Sequence, residues 1–244
     1  MPEAPEVTQP IERDAIYRRR RFPRETIETC VRWYVTYRLS CRDLVAMMAE
    51  RGIRVSHSTI LRWVFRYVPE YERCFNQCSR RVASSWRVAE TYIRVGAEMM
   101  YLYRGVDKYG KTVASLLSPT RSIEAGMEFF RRAAAAVAPR FSRKITLDGY
   151  RASHQALREL RCEDHRWKYV LVRSSRYLSN IVEQDHRAVK VRCQAMLRLR
   201  SYQKAAVTIA GIALAHRIRK QQCNFGPGRR ARWSLKQQWE TALS

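Results

Sequence analysis

The sequence predicts an α/β fold: a mixed sheet of three antiparallel strands followed by parallel crossovers, flanked by helices and preceded by an all-α three-helix unit. Three observations predict it. From Ser85, three β-rich runs follow one another with only "GAE" and then "KYG" between them, so hairpins and antiparallel pairing are natural. Helical and strand patterns then alternate, and a strand reached through a helix pairs in parallel. Before Ser85 the apolar residues recur at helical spacing.

The elements follow in chain order. Residues 1–24 form a basic N-terminal arm, in which "YRRRRFPR" places Arg19, Arg20 and Arg21 in a run that is solvated or settles on phosphates. Residues 25–80 read as three short helices. Ile27, Val31, Tyr34 and Val35 make the first stripe, Leu44, Met47 and Met48 the second, and Ile60, Val64 and Tyr67 the third. Ser40 and Ser56 stand at N-cap positions, and Gly52 ends the second helix. A helix pair joined by a short Gly-containing turn after a supporting helix is a helix-turn-helix DNA-binding domain. Its third helix is then the groove reader, with His57, Ser58, Thr59, Arg62 and Arg66 toward DNA; a plain three-helix bundle is the competing reading.

Residues 81–200 carry the sheet. "WRVAETYIRV", "MMYLYRGVD" and "KTVASLLSP" are the antiparallel strands, and "SIEAGMEFFRRAAAAVA" is an amphipathic helix with Ile123, Met127, Phe130 and Ala134 on one face. "KITLDGY" is a short strand ending on Asp148, "ASHQALRELR" a helix, "KYVLV" a strand, and a long helix starts near Asn180. The order β-β-β-α-β-α-β-α is that of an RNase H-like fold. Residues 201–244 hold an alanine-rich helix and a basic tail with Arg229 and Arg230, a second candidate DNA-contacting arm.

Charge narrows the function. Lys and Arg number 47 against 22 acids, a formal net charge of +25, which points to a polyanionic partner, double-stranded DNA first. The start of the sequence is polar and acidic without an apolar leader, and Ala205–His216 is too short and too closely flanked by basic residues to span a bilayer. A cytoplasmic, nucleoid-associated protein with no membrane partner is expected. Seven cysteines at scattered spacing fit reduced thiols better than a disulfide framework. Cys74 and Cys78 stand one helical turn apart, but no second ligand pair follows at finger spacing.

The chemistry rests on carboxylates. Taken singly, Asp148 before Gly149 suits a turn, and Glu183 suits the first turn of a helix. In an RNase H-like sheet, however, the first and fourth strands lie side by side, so acids from both and one from a late helix converge. Three carboxylates are what two Mg²⁺ ions, about 3.5–4 Å apart, need for phosphodiester transfer. "YLYRGVDKYG", "TLDGY", "YLSNIVEQDHRAVK" and "MLRLRSYQKAAVTIAGIALAHRIRKQQ" resemble the DDE transposases of bacterial insertion sequences, in particular the insertion-sequence-six family. The resemblance runs from about Arg24 to Gln222 and includes the spacing from Asp148 to Glu183 and the Lys190 seven residues later.

That resemblance implies that Asp148 and Glu183 are the second and third metal-binding acids, with Mg²⁺ as cofactor and Mn²⁺ as substitute, and that Lys190 contacts DNA near the reacting phosphate. It implies cleavage and 3′-OH strand transfer at terminal inverted repeats into target DNA, of the replicative cointegrate type, by a homodimer or higher homo-oligomer. It also places the first acid where this sequence reads "VAETY": position 89 is alanine. Glu90 points to the opposite sheet face and Asp107 is a turn acid, so neither replaces it. The expectation is a transposase with weakened metal binding and its chemistry switched off. A DNA-binding regulator without catalysis and an RNase H-like nuclease or integrase of another family are the alternatives.

Overall fold

The computed structural model describes residues 15–18, 21–138, 141–175, 180–195, 199, 201–223 and 234–243. After a short 3-10 turn at Ala15–Tyr17, three helices open the chain: α1 Arg24–Thr36, α2 Cys41–Ala49 and α3 His57–Cys78. The Ser40 side chain accepts from the Asp43 amide while Asp43 accepts from the Ser40 amide, a reciprocal cap that starts α2. Gly52 at φ +72° turns the chain toward Ser56, whose Oγ accepts from the Thr59 amide and starts α3. The third helix is not short. It runs through Pro69 to Cys78, because Tyr67, Val68, Tyr71 and Phe75 continue one buried stripe whose packing outweighs the lost backbone bond at proline.

The sheet follows: β1 Ser85–Val95, β2 Glu98–Asp107 and β3 Thr112–Ser118 pair antiparallel. Helix α4 Ile123–Val137 leads to β4 Lys144–Leu147, and α5 Arg151–Glu163 leads to β5 Leu171–Ser174. Both β4 and β5 pair in parallel, and the strand order β3-β2-β1-β4-β5 is the RNase H-like one. The fifth strand starts later than "KYVLV" suggests. Asp164 caps a 3-10 turn over His165–Tyr169, and that turn buries Trp167 against Phe130 and Phe141 before the chain can extend. Helices α6 Asn180–Ala195, α7 Tyr202–Arg219 and α8 Leu235–Leu243 complete the described chain.

The two faces of the sheet bury different things. Trp86, Val88 and Tyr103 face α4 and α5 in one apolar cluster with Phe129, Phe130 and Leu157. Ile93, Met100, Leu102 and Leu117 face the other way, into a cluster shared by α1, α3, α7 and α8. Helix α7 approaches α1 and α3 most closely at Gly211, where a Cβ would lie 2.8 Å from Val35 Cγ1. The expectation of reduced thiols throughout is corrected at one pair: Cys78 and Cys223, 145 residues apart, form a disulfide. The packing of α7 on α3 carries Cys223 to the end of α3, a proximity that spacing along the chain does not reveal.

Candidate active site

Strand register decides what stands beside Ala89. The parallel pair ends at Val88↔Leu147, so Ala89 on β1 and Asp148, the first residue past β4, each stand one step beyond the last paired residues of neighbouring strands. Asp148 sits half-buried where β4 ends, with Gly149 at φ +96° and the Tyr150 amide donating to its Oδ1 at 3.3 Å. These contacts are those of a turn acid, and the turn reading of Asp148 holds.

Helix α6 covers Ala89. Val182 is fully buried against Ala89 and Val106, with Ile181 beside it, so the first turn of α6 is docked on β1. Glu183 follows Val182 on the solvent-exposed side, and Lys190, half-buried, stands two turns further along. Burial pushes the His186 imidazole down to about 4, with Arg104 and Lys190 adding to the shift, while its bond to the Ala89 backbone and Asp185 oppose it. The ring is therefore neutral at pH 7 and pinned to the strand that carries position 89.

Neither proposed substitute reaches the site. Glu90 faces α4 and α5, where its 4% exposed side chain accepts from Arg121 Nε at 2.7 Å and from Ser153. Burial raises its carboxyl, Arg121 opposes this, and the charge of Asp148 adds to the rise. Asp107 is buried and accepts from the amides of Ala83, Tyr109 and Lys111 at 2.8–2.9 Å, holding the β2–β3 hairpin. Among the described residues no three His, Cys, Asp or Glu stand together as a metal set. With a methyl group at position 89 the donors present do not fit two metal ions.

A buried polar cluster that no motif along the chain announces stands beside Ala89. Arg104 is Ala89's cross-strand partner and has no solvent exposure. Its Nε donates to Asp185 Oδ2 at 2.7 Å, its Nη2 contacts the same oxygen, and Asp185 Oδ1 meets His216 Nε2 at 2.8 Å and Lys220 Nζ. Burial pushes the Asp185 carboxyl up, but Arg104, His216 and Lys220 together draw it below the usual carboxylate range. One carboxylate thus ties α6 and α7 to β2. The available signal was a lone arginine inside an otherwise apolar strand, "YLYRGVD". At the far end of α6, buried Arg192 donates to the carbonyls of Tyr34 and Leu39, fastening the helix to the N-terminal unit.

The residues expected to face DNA lie mostly at the surface. His57, Ser58, Arg62 and Arg66 lie on the solvent side of α3, Thr59 is partly covered, and Arg62 Nη2 donates to Thr59 Oγ1 at 3.1 Å. Arg21 is exposed as well. Arg19, Arg20, Arg229 and Arg230 lie outside the described residues.

Residues 83–222, which span this sheet and its covering helices, match a family model described as a DDE domain. The transposase for insertion sequence-like element IS431mec of Staphylococcus aureus (strain Mu50 / ATCC 700699) is 30% identical over 207 residues, covering 84% of this chain and 89% of that protein. The chain belongs to the DDE transposases of bacterial insertion sequences, in the insertion-sequence-six family. A second relative of this transposase, that of insertion sequence element IS257 in transposon Tn4003 of Staphylococcus aureus, shows the same identity and coverage. Among solved structures, the transposase is similar to a simian T-cell lymphotropic virus intasome in complex with PP2A regulatory subunit B56 gamma. That likeness has a TM-score of 0.43 and 12% identity, and covers 66% of this chain and 56% of that one. It is also similar to the HTLV-2 integrase catalytic core domain in complex with magnesium (trimeric form), with a TM-score of 0.38, 11% identity, and coverage of 67% and 85%. No helix among the described residues of the transposase is long and apolar enough to cross a membrane.

Proposed function

We propose that this transposase grips the terminal inverted repeats of its element and target DNA as a homodimer or larger homo-oligomer, and that Ala89 holds its DNA cleavage and 3′-OH strand transfer switched off. DNA recognition falls to residues 25–80 through the exposed side of α3, with the basic arm of residues 1–24 and the basic tail carrying Arg229 and Arg230 as further phosphate contacts. The chemistry belongs to residues 81–200. There Asp148 and Glu183 are the remaining acids, and Lys190 meets the DNA backbone near the reacting phosphate.

One observation carries the reading. Ala89 and Asp148 each stand one step past the last paired residues of neighbouring parallel strands, and the first turn of α6 docks on Ala89, so the position where β1 could add a carboxylate beside Asp148 presents a buried methyl group. Two Mg²⁺ or Mn²⁺ ions are the cofactors an aspartate there would complete; with alanine the set is short of a ligand, and no step is assigned to them in this chain. An active parent gives the cointegrate type of product.

The experiment is A89D, incubated with terminal-repeat DNA, target DNA and Mg²⁺. The expected result is strand joining at least about a thousandfold above the Ala89 chain, with repeat binding alike in both. Cleavage without joining turns the reading toward a nuclease. Silence from an A89D chain that still binds the repeat overturns it in favour of a regulator without catalysis.

A further inference from the structure

We propose that Arg104 forms a pocket for one carboxylate at position 89, and that in the Ala89 chain this pocket takes a small monocarboxylate such as formate from solution. Arg104 and Ala89 are directly paired across β1 and β2, so their Cβ atoms stand about 4.5–5.5 Å apart on one face of the sheet. Asp185 engages Nε and Nη2 of the guanidinium. Its Nη1 is buried and has no hydrogen-bond partner among the described residues. The His186 ring bonds the Ala89 backbone, and its Nε2 is likewise buried without a partner. One unpartnered buried guanidinium nitrogen, a donor, thus belongs to the residue paired across the sheet with an alanine, whereas His186 Nε2 in the neutral ring is an acceptor and adds nothing for a carboxylate.

Charge points the same way. Arg104 and Lys220 both meet Asp185, so among these contacts one carboxylate faces two cations in a largely buried cluster. A second carboxylate at position 89 would bring that cluster to neutrality and give Nη1 its acceptor. Charge-assisted bonds from a buried guanidinium are the strong class of hydrogen bond, and a ligating carboxylate is normally held by such an outer donor. Arg104 is accordingly a positioning residue for whatever acid occupies position 89. Formate matches the group that alanine lacks: one carboxylate with almost no added bulk, the smallest that can reach a position packed against Val106 and Val182.

The inference deepens the active-site reading, but its test needs neither DNA nor turnover. The full chain in EDTA is melted in sodium formate and in sodium chloride at equal ionic strength. The expected result is a rise of about 3–6 °C in Tm at formate near ten times its Kd, relative to chloride. A89D should melt higher than the Ala89 chain in chloride and lose the formate effect, since its own carboxylate fills the pocket. R104M should lose the effect too; should R104M fail to fold, A89D alone decides. An equal formate shift in A89D, no shift in the Ala89 chain, or an A89D chain that melts lower without metal each overturns the proposal. Strand joining by A89D together with no formate effect would overturn this inference and leave the proposed function intact.

Discussion

Replacing Asp185 with asparagine keeps the side chain's shape and removes the charge that three elements share. The Arg104 side chain is 0% exposed, whereas His216 and Lys220 are 19% and 25% exposed. Removing one partner of a buried pair costs about 3–5 kcal/mol, because the remaining charge stays out of water. Water reaches Lys220 and His216 in part, so the lower end applies: D185N should lose about 3 kcal/mol, a Tm drop of about 6–12 °C for a chain of this size. Urea unfolding followed by tryptophan fluorescence measures it. The pH dependence adds a second readout. The folded Asp185 carboxyl lies below its unfolded value of about 3.9, so its stabilisation is fully present above that pH and lost as pH falls toward the folded value. The gap between the parent and D185N should therefore hold from pH 7 to about 4 and narrow below. A double variant, R104M with D185L, should lose much less than the sum of the singles. A loss under about 1 kcal/mol, a gap that is as wide at pH 2.5 as at pH 7, or additive singles would refute the claim that Asp185 is the hub.

Two other outcomes follow from the packing and from α3. Gly211→Ala gains about 1 kcal/mol of helix propensity, but its Cβ would stand 2.8 Å from Val35 Cγ1 and 3.0 Å from Val68 Cγ2, so a net loss of up to about 2 kcal/mol is expected in chemical denaturation. A more stable G211A chain would contradict so close a seat for α7. Making Arg62 and Arg66 both alanine should weaken binding to a terminal-repeat duplex and lower the salt slope by about 0.9 for each phosphate left without its arginine, measured by anisotropy titrations across salt. Unchanged affinity and slope would remove α3 as the reader.

Much of this protein was legible along the chain because its signals are local. Alternation and short turns marked β1 to β3, serines marked the starts of α2 and α3, and the helix–strand alternation required parallel crossovers. Local signals misled where distant packing overrode them. The stripe Ile60, Val64 and Tyr67 reads as a short third helix, yet it continues through Tyr71 and Phe75 against α7 and α8. "KYVLV" looks like one strand, yet burying Trp167 bends its first residues into a turn.

The candidate site divides along the same line. Sequence by itself determined the family and nominated Asp148, Glu183, Lys190 and the alanine at 89 for the site, because motif spacing is a property of the chain. It also determined that Glu90 cannot stand in, since side chains alternate along a strand. Only the tertiary structure decided what surrounds position 89. Arg104, Asp185, His216 and Lys220 come from one strand and two helices, and nothing in their spacing announces that one carboxylate gathers the other three. Such a cluster exists because buried charges must find partners wherever the fold brings them, and that requirement acts through space rather than along the sequence.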